Sequence, residues 1–228
     1  MKSGLFIELT ACTLGVELGT AKLIARSLRE AGWLTTGPRG TNAPDMKPED
    51  AARLIIALMT GAPPARALQS FLKFRKLKCK DHNGKKLLGE LLAYDGIEGL
   101  DQCVTSIIER TAVGFSIAKM DHFGAPVENL ELLLNVSQGF AYLKLGGHSF
   151  HFFAAKSDAN SEVQNTKPTE CLDNAKGSLA MHTRETLGIQ TTRAITMAEI
   201  RAIADGISAG SPSGVDRQVS SLRKRTNG

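Results

Sequence analysis

Aromatic residues are scarce in this chain, 5% of its 228 residues, and Trp33 is its sole tryptophan. That scarcity argues against a large aromatic-lined ligand pocket. Its 4 cysteines (Cys12, Cys79, Cys103 and Cys171) form no C-x-x-C pair. The usual zinc-finger spacings are thereby excluded, and free thiols in a reducing compartment are expected. No apolar run approaches the length of a membrane span, and no charged stretch followed by an apolar run of signal type opens the chain. A cytoplasmic protein with no membrane partner is expected. Neither a G-x-x-x-x-G-K-[ST] phosphate loop nor a G-x-G-x-x-G fingerprint occurs. His148 and His151 fall in a strand-like run. Three apart, they point to opposite faces and do not share a metal unless a bulge intervenes. No cysteine has the paired histidine context of a nucleophile, and Asp81-His82-Asn83 has no supporting acid or histidine nearby. The sequence therefore predicts no catalytic residue, no metal site and no cofactor.

What the chain does have is unevenly placed charge. The net charge is +5. Residues 1–80 hold 13 Lys/Arg against 6 Asp/Glu, residues 81–204 hold 11 against 15, and the last 24 hold 4 against 2. The positive excess sits at the N-terminal end, where phosphate contacts would need it. Surface charge also varies between domains without any such purpose, so the asymmetry supports a nucleic-acid partner without establishing one.

The most informative stretch is residues 7–42, IELTACTLGVELGTAKLIARSLREAGWLTTGPRGTN. Its first half has the spacing of two short helices joined by a tight turn. Ala11 is small where the second helix must cross, and Gly15 accepts the positive φ that the turn requires. Val16, Ala21, Ile24 and Leu28 form an apolar stripe facing the first helix. Lys22, Arg26 and Arg29, at i, i+4 and i+7, place three cations on the opposite face. Gly32 then ends the second helix. Trp33-Leu34-Thr35-Thr36 reads as a short strand, and Gly37-Pro38-Arg39-Gly40 as a turn with an arginine at its tip.

These features together resemble the winged helix-turn-helix domain of bacterial and prophage transcriptional regulators, over about residues 5–60. The resemblance implies sequence-specific binding of double-stranded DNA. The helix around residues 20–31 would enter the major groove, with Lys22, Arg26 and Arg29 as its cations and Thr20 and Leu23 near base edges. Arg39 would lie in the minor groove or along the backbone, supported by Thr41 and Asn42. A homodimer is expected, because one winged helix spans few base pairs. The alternative is a protein-interaction adaptor that uses the same domain without specific DNA binding.

The rest of the chain matches no family and is read from its pattern alone. Lys47-Pro48-Glu49-Asp50 is a helix start, and the apolar run over 51–59 implies a largely buried helix. A further helix is expected over 65–80, ending in five cations among residues 73–80 that are either phosphate contacts or a solvated helix end. Helices over 86–92 and 100–110 follow. Alternating positions then predict strands near 113–117, over 130–136, and on either side of Gly146-Gly147-His148. The strand over 130–136 offers a sheet edge or apolar face for dimerisation. Residues 156–176 read as a loop and 177–187 as a short helix. Thr196 and Glu199 have capping-box spacing for a helix through Ile203. The expected architecture is α+β: a winged helix-turn-helix domain with a following helix over 1–80, an α+β oligomerisation or partner domain over 81–204 with a small antiparallel sheet, and a disordered basic tail over 205–228.

Overall fold

Helix α1 (Ser3–Thr13) stops because Gly15 takes φ 62°. There the Val16 N–H donates to the Ala11 carbonyl at 2.9 Å and the Gly15 N–H to that of Cys12 at 3.3 Å. The last carbonyls of the helix are thus satisfied by the turn itself. Helix α2 (Leu18–Glu30) ends the same way, with Gly32 at φ 76° and the Trp33 N–H donating to Leu28 at 2.8 Å. The computed structural model describes residues 1–37, 44–80, 82–92, 97–113, 130–145, 148–154 and 192–209. The expected strand near 113–117, apart from its first residue, the loop over 156–176 and the helix over 177–187 lie outside them. Val113 itself caps the end of a helix.

Residues 33–36 form no strand, contrary to the sequence expectation. Their backbone groups are engaged elsewhere. The Trp33 carbonyl accepts from Arg53 at 3.0 Å, and the Thr35 N–H donates to the Asp50 carboxylate at 2.7 Å. Asp50 also accepts from the Thr35 hydroxyl (2.8 Å) and the Lys47 N–H (2.8 Å) at the start of helix α3 (Pro48–Met59). This buried carboxylate ties the segment after α2 to the third helix. Asp50→Ala is expected to cost about 2 kcal/mol, because two part-buried N–H groups and the Thr35 hydroxyl lose a buried charged partner. A denaturant midpoint equal to that of the parent chain would contradict it.

Helix α3 is buried along almost its whole length, as the apolar run predicts. It packs against α2, against α4 (Pro64–Arg75) and against α6 (Leu100–Ala112). Helix α4 is shorter than expected. The chain leaves it at Lys76, and Lys78–Cys79 becomes strand β1 instead of continued helix. Helix α5 (His82–Leu92) follows, beginning earlier than the sequence suggests.

Strands β2 (Leu130–Asn135), β3 (Phe140–Leu145), β4 (His148–Phe153) and β5 (Thr192–Thr196) complete a five-stranded antiparallel sheet in the order β1-β4-β3-β2-β5. The expected β3–β4 hairpin is present. Strand β2 is not an edge: β3 and β5 flank it and its Leu130, Leu132 and Leu134 are buried. That removes the expected use of this strand as a dimer edge or free apolar face. Helix α7 (Met197–Ala209) starts at the expected capping box, where the Thr196 N–H donates to Glu199 at 2.8 Å. It runs past Ile203 through residues expected to belong to the tail, because Ile200, Ile203, Ala204 and Gly206 are all buried. A Cβ at Gly206 would collide with buried Leu9, so glycine permits the close crossing of α7 over α1. Residues 210–228 lie outside the description.

One hydrophobic core joins these layers. It contains Phe6 and Leu28 from the first two helices, Ile55 from α3, Ile107 from α6, and Leu143 and Phe152 from the sheet. The fold is α+β, and packing of α3 on α6 and of α1 on α7 crosses the boundary expected near residue 80.

Candidate nucleic-acid interface

Helix α2 buries Ala21, Ile24, Ala25 and Leu28 and turns the opposite stripe outward. Gly19, Lys22, Leu23, Arg26 and Glu30 are all exposed on that stripe. Leu23 is 54% exposed, one of two large apolar side chains so exposed among the described residues. A single exposed leucine is ordinary on a protein surface, so Leu23 adds shape to this face without marking it by itself.

The three expected cations do not behave alike. Lys22 extends from the exposed stripe. The Arg26 Nε donates to Glu30 at 2.6 Å, and that hydrogen bond, with the carboxylate's charge, holds the guanidinium above its ordinary pKa. Arg29 is half-buried and donates to the Ser3 hydroxyl at 2.7 Å, tying α2 to the start of α1. The expected stripe of three is therefore, at its outer end, a pair. Thr20, expected near base edges, instead donates its hydroxyl to Glu17 at 3.0 Å. Arg39, Thr41 and Asn42 lie outside the described residues.

Behind α2, Trp33 fills the junction of α3 and α4. Its ring meets Phe71 edge-on at 5.5 Å, and the Arg75 and Arg53 guanidinium carbons lie 4.2 Å and 5.6 Å from its centroid. The Arg75 Nε in turn donates to Asp101 of α6 at 2.9 Å. These cations, two of the excess in residues 1–80, are committed to the fold and are not offered to a ligand.

A second polar–aromatic surface was not legible as a unit in the sequence. Along strands β3 and β4, Ala141, Leu143, Phe150 and Phe152 point into the core, leaving Phe140, Tyr142, His151 and Phe153 on the other face. The centroids of Phe140 and Phe153 are 5.8 Å apart, those of Phe153 and His151 6.3 Å, and those of His151 and Tyr142 5.1 Å. Only the strand register brings these four rings into one patch. His148 faces the other side of the sheet, as its spacing from His151 requires. Burial, together with the nearby Lys80 ammonium, holds the His151 imidazole below its ordinary pKa. The unfolded chain then takes up the proton first. Stability is kept above the ordinary histidine pKa and lost as pH falls from there through the lower folded value. His151→Gln is expected to flatten the fall in melting temperature between about pH 7 and pH 5; an unchanged slope would contradict this.

Comparison of the chain with protein-family models, with curated proteins and with solved structures found no match.

Proposed function

We propose that the protein is a sequence-specific DNA-binding regulator that presents the outer face of α2 to the major groove. What carries the reading is the α1–α2 pair. Its turn is set by Gly15, and its second helix exposes Lys22, Leu23 and Arg26 side by side. The lysine suits a phosphate, the arginine a guanine edge once released from Glu30, and the leucine a thymine methyl. Arg29 is assigned to holding α2 on α1. A two-fold dimer would double the short site; strand β2 cannot supply its contact, so another surface must. The activity involves no reaction chemistry: α2 binds, and the buried face against α1 and α3 holds it rigid.

The exposed leucine and the acids Glu17 and Glu30 at either end of α2 also fit a protein partner, which is the adaptor reading. Selection from a randomised duplex pool at low salt separates the two. Enrichment of a defined half-site supports the regulator. Recovery of an unenriched pool contradicts it and favours the adaptor.

A further inference from the structure

We propose that the outward face of strands β3 and β4 is a platform for single-stranded DNA, independent of the α2 face. The four rings of Phe140, Tyr142, His151 and Phe153 form a contiguous two-by-two patch, Phe140 beside Phe153 and Tyr142 beside His151. Phe140 and His151 lie nearly parallel to Phe153, at interplanar angles of 29° and 17°. With centroids about 6 Å apart, well beyond the roughly 3.5–4 Å of ring-on-ring contact, they are offset rather than fully overlapped. Half-buried offset rings leave π-surface for other rings to cover. A patch of this size suits about two or three stacked bases.

Charge complementarity selects the occupant. The Lys80 Nζ lies 5.4 Å from the centroid of the Phe153 ring, and Lys144 is exposed on β3 beside Tyr142. Lys78 stands opposite Phe153 on the same face, at the β1 edge. Stacking surface bordered by cations matches a strand whose bases turn inward and whose phosphates run along the rim. Glu131 stands directly opposite Lys144 on this face, so the phosphate track runs along the Lys78 and Lys80 edge, with Lys144 at its end. The hydroxyls of Tyr142 and Ser149 bond each other at 2.8 Å. That bond uses one of the two hydroxyl protons and leaves a single donor for a ribose 2′-hydroxyl, which leans the face toward DNA over RNA.

The test is a fluorescence-anisotropy titration of the full chain with labelled oligo(dT) of about ten nucleotides, beside oligo(rU) of equal length. Saturable binding to oligo(dT), at least as tight as to oligo(rU), is expected. Phe140→Leu/Phe153→Leu should weaken it roughly tenfold or more, since each stacked base contributes about 1–3 kcal/mol. Lys80→Ala/Lys144→Ala, which leaves the core untouched should the phenylalanine variant fail to fold, should weaken it and lower its salt dependence. Lys22→Ala/Arg26→Ala should leave it unchanged, so this proposal and the duplex-binding one fail separately. Absence of oligo(dT) binding, tighter binding of oligo(rU), or lysine variants as tight as the parent would overturn it. So would sedimentation as a dimer that the phenylalanine pair dissociates, because a second copy would then occupy the face.

Discussion

Trp33→Ala is expected to destabilise the fold by about 3 kcal/mol and to lower its melting temperature by roughly 6–12 °C. The substitution empties the junction between the end of α2, α3 and α4. It removes the edge contact with Phe71 at 5.5 Å and leaves the Arg75 and Arg53 guanidinium groups without the ring they cover. Because Trp33 is half-buried, the loss falls at the lower end of the range for removing a large aromatic side chain. The Arg75–Asp101 pair at 2.9 Å would also lose the ring that fixes its geometry, loosening α4 on α6. Trp33→Phe keeps the ring and should recover more than half of the loss. A Trp33→Ala chain melting within a degree or two of the parent would mean that this cluster does not organise the helices.

Lys22→Ala/Arg26→Ala should lower affinity for a selected duplex about a hundredfold while leaving the melting temperature nearly unchanged. Both side chains are exposed, and the single pair lost, Arg26 with Glu30, joins two exposed groups. Such pairs contribute little to stability. On the proposed reading each cation would face a phosphate or a base edge, and two contacts of about 1–3 kcal/mol would account for the loss. Arg29→Ala is expected to behave in the opposite way, softening the α1–α2 contact through loss of its bond to Ser3. Equal loss of DNA affinity and of stability in all three single variants would indicate a structural face with no ligand.

The legible parts of this fold were those set by local rules. Gly15 and Gly32 at positive φ, Pro48 opening α3, and Thr196–Glu199 opening α7 each follow from the steric or hydrogen-bonding needs of one turn. Alternation likewise located β2, β3 and β4. Contacts distant in sequence overrode local propensity elsewhere. Trp33 and Thr35 have strand-like side chains, yet Arg53 and Asp50 claim their backbone groups. The cations after Phe71 have helical spacing, but β4 draws Lys78 and Cys79 into the sheet. Polar composition near residue 206 suggested a tail, and a missing side chain there turned out to be what lets α7 cross α1. At the candidate site, the i, i+4, i+7 pattern identified which face of α2 points outward. It could not show that Ser3 captures Arg29 or that Glu30 engages Arg26. The aromatic patch depends on register between two strands, which no single-strand pattern contains.

The most direct test of the central claim is the salt dependence of duplex affinity, measured for the full chain against a selected site between low and physiological salt. If α2 docks in the major groove with flanking phosphate contacts, the logarithm of the association constant must fall steeply and linearly with that of salt. The slope should be close to −0.9 for each phosphate neutralised, and should become shallower by roughly one unit in Lys22→Ala. A flat dependence, or a slope that Lys22→Ala leaves unchanged, would contradict the assignment of this face to DNA.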